Sequence, residues 1–289
     1  MNGTFFNKNI SFNAALFTLW AVFLLVKYNG HRFEENPVPS AGLEQSMGPE
    51  TNAAASLQAK VLELRHRLAR TTTNTQKSMV LQDIGYAYAN LFNTTGNVSF
   101  RDSAVENMRH ASTEEPGNGR LHYRLGKFYG AIGYQQQALE QYTLALQCDS
   151  TYMPAFTDAA ACSYFGFNRS EDAKRYSSRA LKLDSQAPLC HLILGLIDLD
   201  AKKIESGSEN LKQEIVADES AMARGNTSLD VESIRFAAAT AHYRLMRLYC
   251  SQVPDMARAR EHLDGYLRFE TDPTRKSAAI DAMKKRWGS

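Results

Sequence analysis

The side chains able to ligate a metal or move a proton are few and scattered. Seven histidines occur: His31, His66, His110, His122, His191, His242 and His262. They fall in different parts of the chain and make no HExxH or other close pair, the spacing that sets two imidazoles on one helix face around zinc. His122 and His191 lie on apolar faces, where a satisfied core or groove histidine is expected rather than a ligand. Cys148, Cys162, Cys190 and Cys250 form no CxxC or other metal spacing. All four fall in helical patterns and read as buried free thiols. No GxSxG elbow, Walker loop or GxGxxG turn is present. The acids are spread along helix surfaces, the usual place of solvated charge. The sequence thus predicts no catalytic residue, no cofactor, no metal and no small-molecule substrate, and the chain is not expected to be an enzyme.

What must be positioned is therefore a surface. The 289 residues are 44% hydrophobic and 22% charged, an ordinary globular balance. A net charge of +2 argues against a protein that binds nucleic acid by neutralising phosphates. The organising stretch is Leu121 to Ser150, LHYRLGKFYGAIGYQQQALEQYTLALQCDS. Its two halves carry apolar residues at i, i+3, i+4 and i+7, and Gly133 breaks them into two short helices. Gly126, Ala138 and Ala145 are small where two helices must touch. Tyr129 and Tyr142 fill the space beside them.

This pattern resembles the tetratricopeptide repeat, a helix–turn–helix unit of about 34 residues. The register echoes elsewhere. Ile84-Gly85 and Tyr88 match the first helix upstream, with Ala104, Met108, Ala111 and Pro116 as the second. That match places about seven extra residues in the turn around Asn93–Phe100. Downstream, Ala161, Tyr164, Ala173, Ala180 and Asp184-Ser185 mark a third unit. Leu194-Gly195 opens a fourth, in which Gly207 stands where alanine is expected. Val231–Cys250 and Met256–Phe269 give a fifth pair after a loop at Ala221–Asp230. The resemblance implies an all-α, right-handed superhelical solenoid over residues 76–273 with a concave groove for peptides or partner proteins.

Helices are expected to cap both ends. Residues 52–75 hold an amphipathic helix, begun by Thr51-Asn52, with Leu57, Val61, Leu64 and Leu68 on one stripe. Residues 274–289 hold another, with Ala279, Ile280 and Met283 inward and Lys284, Lys285 and Arg286 outward. Ahead of these, Ile10 to Val26 is an apolar run, with Thr18 the sole polar residue of Ala14–Val26. Residues 10–28 are expected to cross a membrane as an uncleaved signal anchor, within a segment 1–29. Residues 30–51, with Pro37, Pro39, Gly42 and Pro49, form a linker. The near-tie of Lys8 against Lys27 and Arg32, with a short N-terminal tail, favours export of the helical part to the periplasmic or extracytoplasmic side.

The groove residues implied by the resemblance are Gln82, Tyr86 and Asn90 from the first unit. The second gives Arg120, Tyr123 and Lys127, and the third Asp158, Cys162 and Phe165. Aromatic, amide and cationic groups together suit an extended peptide. The expected function is a membrane-anchored scaffold that holds a protein or peptide partner, in assembly of an envelope or membrane complex. The alternative is a permanent accessory structural subunit of a membrane enzyme complex. The Lys/Asn clamp with which some family members grip a C-terminal carboxylate is not matched, since Tyr123 stands at one of its positions.

Overall fold

The computed structural model describes residues 49–223 and 231–287, which are helices joined by short turns with no strand among them. The expected anchor at 10–28 lies outside the described residues, as does most of the linker. No helix among the described residues is long and apolar enough to cross a membrane.

Contacts divide the chain between Tyr152 and Met153 into two compact units. The N-terminal unit holds α1 (Pro49–Ala69), α2 (Asn74–Thr95), α3 (Val98–Glu114), α4 (Gly119–Ala131) and α5 (Gln135–Cys148). The C-terminal unit opens with α6 (Met153–Ala161), which runs into a π turn at Cys162–Gly166. It continues with α7 (Ser170–Leu183), α8 (Cys190–Asp200), α9 (Ile204–Ala223), α10 (Val231–Ser251), α11 (Met256–Phe269) and α12 (Pro273–Trp287).

Helix α1 starts at Pro49, so Thr51 and Asn52 are inside it rather than capping it. Proline suits a first helical position, where its missing N–H has no intrahelical partner to lose. The apolar stripe of α1 does face α2: Val61 and Leu64 are buried, and Leu57 and Leu68 pack beside Val80, Ile84, Tyr88 and Leu91. Arg65 donates to the Tyr88 hydroxyl at 2.8 Å.

The extra residues expected in the turn at 93–100 are not a loop. Helix α2 continues to Thr95, Gly96 closes it at φ +68°, and α3 starts at Val98. The extra residues are taken up as helix: Leu91, fully buried, is the last core residue of α2, and the turn that follows it stays helical although it is largely exposed. The side chain of Asn97 caps α3 by accepting from the Ser99 N–H. Ala221 to Ala223, expected to open a loop, are helical, since α9 runs to Ala223; the rest of that stretch lies outside the described residues.

Small residues sit where the pairs close. A Cβ on Gly126 would meet the Tyr142 ring at 2.7 Å and the Ala138 carbonyl at 3.1 Å. One on Gly85 would meet Met108 at 2.9 Å, and one on Gly195 would meet Leu211 at 2.8 Å. Gly207 departs from the repeat pattern for the same reason. A Cβ there would lie 2.8 Å from the Leu199 side chain and 2.9 Å from its backbone nitrogen. The larger Leu199 across the pair requires the smaller residue.

The turns repeat as faithfully as the contacts. First helices in successive repeats end on a left-handed residue: Gly133, Asn168 and Lys202. At each, the next N–H reaches back to a carbonyl inside the helix, as Tyr134 does to Tyr129 at 2.8 Å. Asp149 and Asp184 close two second helices, and their carboxylates accept from the N–H groups of Thr151 and Gln186. His122 and His191 are latches of the same kind. Nε2 of each lies 3.0–3.1 Å from a carbonyl of the preceding turn, Pro116 or Ser185. A carbonyl only accepts, so that nitrogen carries the proton. Nδ1 then faces the side-chain amide of Gln141 or Asn210 on the second helix.

Candidate partner-binding face

In the N-terminal unit, first helices α2 and α4 bring several of the expected residues together. Gln82 is buried, and its Oε1 accepts from the Arg124 guanidinium at 2.6 Å. Tyr86, one turn further along α2, is half-buried. Burial raises its hydroxyl above the ordinary tyrosine range, Arg124 pulls it back, and Asp83 adds to the rise. Asn90 and Arg120 are exposed. Helix α4, Gly119–Ala131, carries Arg120, Arg124 and Lys127 without an acid, at a spacing that puts the three on neighbouring turns.

Tyr123 is more structural than its type suggested. Its ring lies 5.9 Å from that of Tyr142 and meets Tyr152 edge-on at 5.1 Å. Lys127 is half-buried, with its Nζ turned away from solvent. Asp158, Cys162 and Phe165 belong to the C-terminal unit and are buried, which corrects the expectation that they are surface contacts. Phe165 meets Tyr164 edge-on at 5.0 Å and Phe236 at 6.3 Å. The Asp200 carboxylate next to them accepts from the Tyr164 hydroxyl at 3.2 Å and the Arg244 guanidinium at 2.7 Å.

The cysteines also divide. Cys162 and Cys190 are buried, and desolvation pushes their thiols up to about 12. Cys148 is exposed and Cys250 half-exposed, so the reading of four buried thiols holds for two. All four are free. Nor are the histidines all apart: Nδ1 of His242 and Nδ1 of His262 lie 3.1 Å from one another. The sequence hid this pair because its members sit on facing helices of one repeat.

Two buried acids were also missed. Glu214 accepts from the backbone N–H groups of Leu189, at 2.8 Å, and Leu192, at 3.0 Å. It thereby caps α8 from α9 and holds Leu189 in the left-handed region at φ +64°. Asp218 follows one turn later, 4% exposed, with its Oδ2 buried and unbonded. The signal was present in the sequence, since both stand on the apolar stripe of Leu211 and Ile215. Burial raises both carboxyls well above the usual range; the backbone N–H groups on Glu214 hold it back in part, whereas Glu214 and Glu219 push Asp218 further up. A carboxyl raised in the folded state favours folding at low pH, and that advantage is lost as pH climbs from about 4 toward its folded value. Asp218→Asn should therefore raise the melting temperature at pH 8 by a few degrees and flatten its dependence on pH. Thermal unfolding of the two chains at pH 5 and 8 checks this, and a variant less stable than the parent at pH 8 contradicts it.

No family model matches the chain, and no curated protein matches it in sequence. Solved structures match it in fold. The C-terminal part of a TPR repeat-containing protein from Cytophaga hutchinsonii shares 13% identity at a TM-score of 0.56. That match covers 91% of this chain and 98% of the other. PilW, a type IV pilus biogenesis factor, shares 15% identity at a TM-score of 0.53, over 73% of this chain and 86% of its own. The helix pairs described above thus have the tetratricopeptide-repeat fold.

Proposed function

We propose that this chain is a protein-interaction scaffold that holds an extended segment of a partner on the first-helix face of its N-terminal unit. The observation that carries the reading is the composition of that face: Tyr86, Asn90, Arg120 and Arg124, on two successive first helices, with buried Gln82 holding the Arg124 guanidinium from beneath rather than offering a contact of its own. Tyrosine and arginine supply contact area and directed donors at little cost in entropy. A repeat fold presents surface and has no chemistry built in, so the scaffold is proposed to be no enzyme.

The scaffold is further proposed to be anchored in a membrane through residues 10–28, with its helices on the exported side. The partner would then be a component of an envelope or membrane assembly. The anchor rests on the apolar run Ile10 to Val26, and an assembly role is suggested by a pilus biogenesis factor of the same fold. The expected outcome on cell breakage is that the full-length protein sediments with membranes and needs detergent for release. A protein found in the soluble fraction, or a mature N-terminus beyond residue 30, overturns the anchor. Purification in mild detergent addresses the scaffold itself. A partner that dissociates as salt is raised supports it, because rim cations act mainly through screened attraction. A complex of fixed stoichiometry that survives high salt replaces it with a permanent accessory subunit.

A further inference from the structure

His242 on α10 and His262 on α11 are each 8% exposed, and they meet through Nδ1 at 3.1 Å. Two neutral imidazoles make this contact with one proton between them, one ring donating and the other accepting. Two protonated rings cannot, because both nitrogens would then be donors facing one another. We propose that His242 and His262 form an acid-sensitive clasp that holds α11 on α10 and releases it when the rings take up protons.

The surroundings are built for the neutral pair. Phe269 stacks on His242 at 5.9 Å, and Tyr249 stacks on His262 at 5.6 Å. The His242 ring lies directly over Gly265, where a Cβ would come within 2.2 Å of its Cε1. No residue but glycine leaves the imidazole this place. His242 Nε2 is buried and has no hydrogen-bond partner, so no acceptor waits for a second proton there.

The charges around the pair point the same way. Helix α9 brings Lys212 toward His262. Helix α11 brings Arg258 and Arg268, which also lie over the Tyr249 and Phe269 rings at 5.5 and 5.3 Å. Glu261 on α11 is the acid that favours a charged His262, and Glu219 on α9 is engaged with Arg268 at 3.6 Å. Helix α10 itself contributes Tyr249. Helix α12 holds Arg275 against Glu270 and Asp272, and Arg286 against the Cys250 carbonyl. Burial depresses both imidazoles; His262 and Arg268 add to it at His242, which falls to about 4, and Lys212 and Arg258 add to it at His262. The stability they lend is complete above their ordinary value of about 6.5 and is lost as pH falls from there toward 4.

Hydrogen exchange on the full-length chain at pH 7.5 and 5.0, corrected for the intrinsic rate, reads the clasp helix by helix. Amides of α10 and α11 are expected to lose about tenfold or more of their protection at pH 5.0 relative to those of α2 to α5. Equal change in the two sets overturns the clasp. Histidine-ring NMR on the same unmutated chain is the second readout. Titration midpoints for both rings well below 6 support the clasp, and midpoints at the ordinary value overturn it. In a His242→Phe, His262→Leu chain that remains helical, the differential loss at pH 5.0 is expected to vanish, and its persistence also counts against the clasp.

Discussion

Ala138→Leu and Ala145→Glu should each lower the melting temperature markedly, while Gln137→Leu, one residue from Ala138, should leave it unchanged. Ala138 and Ala145 are fully buried, and Gln137 is exposed. Ala138 faces the point where Gly126 approaches α5, whose carbonyl there already stands 3.1 Å from the position of a Cβ. Three added carbons have nowhere to go without parting α4 from α5. Overpacking of this kind costs about 1–3 kcal/mol. For a domain of this size each kcal/mol is about 2–4 °C. Ala145→Glu adds a buried, unpaired carboxylate and should cost at least as much. Thermal unfolding followed by circular dichroism checks all three, and equal melting temperatures would show that the helix register is misassigned.

The register was readable because it rests on residue size. Gly85, Gly126 and Gly195 mark close approaches that nothing larger fits, and they stand at the same place in their helix pairs. Gly207 broke the alanine pattern, and only the packing of Leu199 against it explains why. The left-handed helix ends were half hidden. Gly133 announces one by its type, whereas Asn168 and Lys202 adopt the same backbone with side chains that do not demand it. At 93–100 a period count sees extra residues and not whether they stay helical. Helix α2 runs on past its last buried residue, Leu91, to Thr95, and Gly96 closes it.

The face was legible by position and less so by exposure. A repeat register gives the direction of a side chain along its helix. It does not say what closes over it, and Asp158, Cys162 and Phe165 are buried where a surface was expected. The pairs formed across helices were invisible for a related reason. Gln82 with Arg124, His122 with Gln141 and His242 with His262 each join residues of different helices. Local spacing carries no trace of such partners.

The other large effect concerns binding. Tyr86→Ala with Arg120→Ala should abolish capture of the partner while helical content stays the same. Tyr86 is half-buried on α2 and Arg120 exposed on α4, and neither fills the core. Tyr123 is a poorer choice, because it packs on Tyr142 and Tyr152 and its loss would perturb the fold. A hot-spot side chain contributes about 2 kcal/mol or more, roughly thirtyfold in affinity for each. The control is Gln136→Ala with Glu140→Ala, which removes an exposed pair on second helix α5 and leaves α2 and α4 intact.

Quantitative co-purification from detergent-solubilised native membranes, with mass spectrometry of what is retained, compares the three chains directly. The scaffold account predicts one set of proteins held by the unmodified chain and by the α5 control, and lost from the Tyr86→Ala, Arg120→Ala chain. Retention of that set at the unmodified level by the Tyr86→Ala, Arg120→Ala chain would contradict it.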